Sequence, residues 1–228
     1  MTPTISKFKD EKAYVKAAVQ AIETALTKSL EERTLVRVAL SGGQSPLPVY
    51  DALAKSKNIP WSRVRLFLVD ERYVPANSND SNQKAIRLHL TDHLKSLRDF
   101  YVYNTREPKE KLVHQYEEVL KLQDSPLFDL VILGMGEDGH TASLFPSSPA
   151  LLEEKRLITT AFAPVEPHER ITLTFPAILD SRKIIVLVKG AKKERILDRA
   201  LSGRASEEEL PLAKILDHSD IEVYFNAV

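Results

Sequence analysis

Residues 128–146 read FDLVILGMGEDGHTASLFP, and the first six positions, apolar except for Asp129, need an environment shielded on both sides. The interior of a parallel sheet supplies one, because strands covered by helices on both faces carry short, nearly continuous apolar runs instead of alternating ones. The residues that follow then sit at the carboxyl edge of that sheet. Here they bring glycines at 134, 136 and 139 and a single imidazole, His140. Ligands of open α/β sheets bind outside the carboxyl ends of the strands, so this turn lies where chemistry is expected.

The flanking segments agree with such an architecture. Residues 10–32 predict an amphipathic helix, with Tyr14, Ala18, Ala21, Ile22, Ala25 and Leu26 recurring near helical spacing. Strands are predicted over 35–40, 64–69, 170–175, 183–188 and 221–225. Ser45 and Pro46 read as the cap and first residue of a helix carrying Val49, Tyr50 and Leu53. Ser81 caps a helix with Ile86, Leu90 and Leu94, Pro108 opens one with Leu112, Tyr116 and Leu120, and Gly203 ends one over 191–201. Residues 145–149, and 160–168 with Pro164 and Pro167, read as irregular, site-forming loops. The alternation implies a three-layer α/β fold, a mainly parallel sheet flanked by helices. With no internal repeat, low-complexity run or linker-like shift in composition, residues 1–228 are read as one domain.

Composition excludes several function classes. The 32 basic and 32 acidic residues cancel, so no global field attracts nucleic acid or an anionic membrane, and any anion must be held by a local cluster. The absence of cysteine rules out disulfides, thiolate zinc sites and a Cys nucleophile together. No apolar stretch approaches the roughly 18 residues of a membrane span, and the N-terminus carries no signal-like apolar run. A cytoplasmic protein, monomeric or weakly self-associating, is the expectation.

Four groups of residues carry candidate chemistry. Ser41, Gly42 and Gly43 form a strand-to-helix turn whose backbone N–H groups suit an anion, although the spacing is not that of a nucleotide P-loop. Asp70, Glu71 and Arg72 follow a strand, where Arg72 could grip phosphate and Asp70 could orient a histidine. Gly134, Gly136 and Gly139 spell G-x-G-x-x-G, but Pro146 and Pro149 leave no room for the helix a dinucleotide site needs. The glycines instead let backbone approach a small substrate, with N–H groups of residues 134–139 as candidate oxyanion donors. His140 is the candidate general base. Arg170 and Lys193 add cations late in the chain. His89 and His93 are spaced like zinc ligands without a third partner, and they, His114 and His218 are read as packing or surface residues, so no metal is expected.

Four blocks in order, LSGGQSP, FLVDERYVPANSNDSN, LGMGEDGHTASLFP and ERITLTFPAILDSRKIIVLVKGAKK, closely resemble the 6-phosphogluconolactonase family. The resemblance implies the fold shared with glucosamine-6-phosphate deaminases and ribose-5-phosphate isomerases. It also implies cofactor-free hydrolysis of a small sugar-phosphate lactone, 6-phosphoglucono-1,5-lactone, to 6-phosphogluconate in the oxidative pentose phosphate pathway. By that resemblance His140 matches the base and Asp70 its orienting partner. Arg72, Arg170 and residues 41–43 match the phosphate grip, Gly136 belongs to the substrate-side loop, and Lys193 matches a late lysine. The sister deaminases carry a catalytic glutamate where this chain has Phe145 and a tyrosine where it has Arg72, which disfavours amine chemistry. A non-catalytic sugar-phosphate sensor would have no need of His140.

Overall fold

The computed structural model describes residues 3–228. Its strands are β1 (Thr4–Phe8), β2 (Val36–Leu40), β3 (Val64–Leu68), β4 (Asp70–Arg72), β5 (Asp99–Tyr101), β6 (Leu130–Gly134), β7 (Ile158–Phe162), β8 (Glu169–Leu173), β9 (Ile184–Lys189) and β10 (Ile221–Asn226). The helices are α1 (Glu11–Glu32), α2 (Leu47–Leu53), α3 (Asn82–His89), α4 (Lys109–Lys121), α5 (Phe175–Leu179), α6 (Glu194–Leu201) and α7 (Leu212–Leu216). Seven strands make a wholly parallel sheet in the order β1-β10-β9-β6-β2-β3-β5. A second sheet, β4-β8-β7, is antiparallel.

The centre of the parallel sheet is the part with no polar alternation. Leu130, Val131, Ile132 and Leu133 of β6 and Ile184 to Val188 of β9 are buried without exception, which satisfies the apolar run that opens the motif. Even Arg37 of β2 is buried, because its guanidinium donates to the carbonyls of Asp124 and Pro126 and its own N–H to Asp129. On one face α1 lays Tyr14, Ala18, Ile22 and Leu26, one stripe at i+4 spacing, into the core; Asp10 caps it by accepting from the Ala13 N–H. Each such fully buried large apolar side chain contributes about 1.5–3 kcal/mol of transfer free energy. Among the described residues no helix is long and apolar enough to cross a membrane.

Several boundaries differ from the sequence expectation for local reasons. Ser45 does not cap α2: its Oγ accepts from the Lys189 N–H, and Pro46 occupies the cap position. The 64–69 strand divides after Leu68, and Asp70 to Arg72 cross to the second sheet as β4. Residues 158–162, of which 160–162 were expected as loop, form β7, all five paired antiparallel with β8; the prolines act only on the turn beyond. Helix α3 keeps its Ser81 cap but ends at His89, leaving Leu94 outside, and residues 191–193 are a 3-10 turn before α6. Strands β1 and β5 and helix α7 carried too little periodicity to be anticipated.

Candidate active site

Strands β9, β6 and β2 are neighbours, so their carboxyl ends deliver Lys193, the His140 loop and the Ser41 turn to one edge. The chain leaves β2 for β3 on one side and β6 for β9 on the other, which makes the β2/β6 boundary the switch point where an open sheet parts to admit a ligand. A cleft of about 240 Å³ lies there. Its walls include Ser41, Gly42, Gly43, Asp70, Arg72, Gly134, Gly136, His140, Arg170 and Lys193, all named from sequence, whereas Glu71 and Gly139 do not line it. Asn82, Ser143 and Val165, which the sequence did not single out, line it too, as does Phe145, which stands where the deaminases carry their glutamate.

The His140 loop is a closed turn. Gly136 donates its N–H to the His140 carbonyl (2.9 Å) and Gly139 to the Gly136 carbonyl (3.2 Å). Those two N–H groups are consumed within the loop, which removes Gly136 and Gly139 from the span 134–139 expected to offer oxyanion donors. Gly136 matters for space: a Cβ there would lie 2.2 Å from both Cε1 and Nδ1 of His140. Gly136→Ala is therefore expected to push the imidazole aside and lower kcat about 10–100-fold, with little change in thermal midpoint; unaltered turnover would show that the ring does not act from this position. Gly139 holds a φ of 84°, the left-handed region that glycine enters freely.

The imidazole is oriented by Asp138 and not by Asp70. His140 Nδ1 lies 2.5 Å from Asp138 Oδ1, an oxygen that also accepts the His140 backbone N–H at 3.2 Å. Burial pushes the Asp138 carboxyl up, but its hydrogen bonds and charge interaction with His140 outweigh that and hold it below the usual carboxylate range. An ionised carboxylate only accepts, so in the neutral ring the proton sits on Nδ1 and the Nε2 lone pair is free. The Phe145 ring backs the imidazole at 4.6 Å between centroids. An aspartate two residues before a histidine was legible in the motif, yet nothing in the letters decides which nearby acid turns toward the ring.

Asp70 instead joins three segments of the wall. Buried, it accepts from Ser143 Oγ at 2.7 Å and from Asn82 Nδ2 at 3.3 Å. Ser143 also takes its N–H to Thr172 Oγ1, which steadies the turn in which Ala142 is held at a φ of 54°. Glu71 caps α3, accepting from the N–H groups of Asn82 and Gln83 and from Ser81 Oγ, and burial raises its pKa against the pull of those donors. Lys193 Nζ donates to the Met135 carbonyl at 2.6 Å, and burial lowers its pKa against the opposing charges of Glu137 and Asp138.

Two features suit an anion. In the Ser41 turn, no hydrogen bond among the described residues engages the backbone N–H groups of Gly42, Gly43, Gln44 and Ser45. Since α2 is only seven residues long, these N–H groups, more than any helix dipole, make the turn receptive. Opposite them Arg72 and Arg170 are directly paired across β4 and β8. Like charges placed so are unfavourable, and burial together with Arg72 depresses the Arg170 pKa despite the nearby Asp70 and Glu71. Arg72 rests one nitrogen on the Asp80 carbonyl (2.5 Å). Arg170 Nη1 and Ser41 Oγ are buried without any hydrogen-bond partner in the protein. Such atoms are costly to keep unpaired, and both belong to residues that line the cleft.

The other histidines stand apart from this cleft. His89 pairs with Asp51, His93 with the Leu88 carbonyl and His218 with the Ser181 carbonyl. Among the described residues no three His, Asp or Glu side chains converge as metal ligands.

The fold and the cleft define a class, α/β proteins with an anion-receptive cleft and a histidine at a sheet edge, and the comparisons narrow it. The family model described as glucosamine-6-phosphate isomerases/6-phosphogluconolactonase matches residues 9–225. A 6-phosphogluconolactonase from Synechocystis sp. is 34% identical over 220 residues, covering 92% of this chain and 90% of that one. Among solved structures, the 6-phosphogluconolactonase from Thermotoga maritima superposes with a TM-score of 0.85 at 36% identity, covering both chains completely. The one from Shewanella baltica superposes with a TM-score of 0.89 at 30% identity, covering 99% of this chain and 98% of that one. The chain belongs to the 6-phosphogluconolactonase family, whose members are lactone hydrolases of the pentose phosphate pathway.

Proposed function

We propose that this protein hydrolyses 6-phospho-D-glucono-1,5-lactone to 6-phosphogluconate, with His140 activating the water. The observation that carries the reading is one cleft holding a histidine with a free Nε2 beside two buried, unpartnered polar atoms suited to an oxyanion. Phosphate engages Arg72, Arg170 and the Ser41 turn, which sets the distance of the lactone carbonyl from the imidazole. His140 Nε2 takes a proton from water as the oxygen attacks that carbonyl, forming a tetrahedral oxyanion. The imidazolium, stabilised by Asp138, then returns the proton to the departing ring oxygen. Every proton is accounted for by one histidine, and no covalent enzyme intermediate is required. Phe145 backs the imidazole with hydrocarbon where amine chemistry would want a carboxylate, which favours hydrolysis over deamination.

The test is the rate of acid release from freshly generated lactone, corrected for spontaneous opening, alongside ammonia release from glucosamine 6-phosphate. Saturable lactone hydrolysis without ammonia supports the reading. Ammonia release, or no acceleration of ring opening, overturns it.

A further inference from the structure

Asn82 is buried at the first turn of α3, with its backbone N–H held by Glu71 Oε1 at 2.7 Å. Its side-chain nitrogen donates to the Asp70 backbone carbonyl at 3.0 Å and to Asp70 Oδ1 at 3.3 Å. A backbone carbonyl can only accept, so the amide orientation is settled by chemistry: Nδ2 faces Asp70 and Oδ1 faces away from it. No hydrogen bond among the described residues engages Oδ1, and it is absent from the polar atoms sealed off without a partner. Asn82 lines the cleft, so this oxygen reaches its surface.

The neighbouring glycine fits the same picture. A Cβ on Gly42 would lie 2.2 Å from Asn82 Oδ1, and Gly42, unlike Gly43 with its φ of 88°, has no left-handed backbone to explain it. Glycine at 42 therefore leaves room for the Asn82 carbonyl at the mouth of the anion turn.

We propose that Asn82 is a specificity-determining residue that accepts a hydrogen bond from one ring hydroxyl of the bound sugar phosphate. An amide carbonyl needs a donor. On a phosphorylated aldonolactone the phosphate dianion and the lactone carbonyl offer none, and the secondary hydroxyls do. Asp70 and Ser143 act through Asn82 by fixing its orientation. A site built to bond a hydroxyl rejects analogues lacking it, because its own polar group is left unpaired. The inference rests on the lactonase reading for the identity of the sugar.

The experiment is calorimetric binding of 6-phosphogluconate and its 2-, 3- and 4-deoxy analogues to wild type, Asn82→Ala and Asn82→Ser. Wild type should bind one of the deoxy compounds about tenfold more weakly than the parent. Asn82→Ala should bind the parent about tenfold more weakly, yet bind that same deoxy compound as well as wild type does. Asn82→Ser retains a donor for the Asp70 carbonyl but does not reach the cleft, so it must reproduce the pattern and decides the matter if the alanine variant fails to fold. Equal weakening of all four ligands, or no weakening, overturns the role. Wild type that ignores the parent compound overturns the lactonase reading with it; wild type that binds it without any dependence on Asn82 overturns this inference alone.

Discussion

His140→Ala is expected to lower kcat for lactone hydrolysis by about 10²–10⁴-fold, the span that a positioned acid–base group supplies. Binding of 6-phosphogluconate should change little, because in the proposed mechanism the imidazole faces the reacting carbon and the phosphate lies against Arg72, Arg170 and the Ser41 turn. The protein should stay folded, since the His140 side chain is 30% exposed and its loop is closed by backbone bonds that alanine keeps. Asp138→Asn should lose kcat in the same direction with His140 still present, because an amide no longer selects the tautomer that leaves Nε2 free. Asp70→Asn should not mimic it. Initial rates corrected for spontaneous opening, with thermal midpoints for each variant, make the check. Near-normal turnover in His140→Ala would remove the imidazole from the reaction, and an Asp70 variant behaving like Asp138→Asn would restore the partner expected from sequence.

The contrast between Asp70 and Asp138 shows what kind of information letters carry. The parallel sheet was legible because β6 and β9 are buried on both faces and spell it in unbroken apolar residues. The location of the site followed, since strand ends place the loops after them. His140 and Arg72 could be nominated from their places after strand ends, and the phosphate role of Arg170 was implied by the family resemblance. Side-chain direction could not. Sequence alone nominated one acid for the histidine, Asp70, and passed over Asp138, whose two-residue separation within a tight turn wins only once Asp70 is seen to be occupied by Ser143 and Asn82. The small β4-β8-β7 sheet was missed for a related reason: β4 is three residues long and β7 is half exposed, so neither leaves a periodic signal. Yet that sheet alone sets Arg72 beside Arg170. Asn82 was likewise invisible, reading as one more polar residue after a helix cap.

Arg170→Ala is expected to raise KM for the lactone by about 10–150-fold with a much smaller change in kcat, the range for losing a hydrogen bond to a charged group. Its Nη1 is buried and without a partner in the protein, on a guanidinium already placed against a like charge. That arrangement costs stability in the free protein, and a phosphate dianion that accepts from both arginines recovers it. Arg170→Lys should not rescue, because a single ammonium cannot reproduce the planar fork. Arg72→Ala should have the smaller effect, since Arg72 already rests on the Asp80 carbonyl and is less buried. The same logic predicts a stability readout independent of turnover. Saturating 6-phosphogluconate should raise the thermal midpoint of wild type by linkage, and of Arg170→Ala hardly at all at the same concentration. A variant that loses kcat at unchanged KM, and is still stabilised by the sugar acid, would place Arg170 at the reacting carbonyl and leave the phosphate to the Ser41 turn.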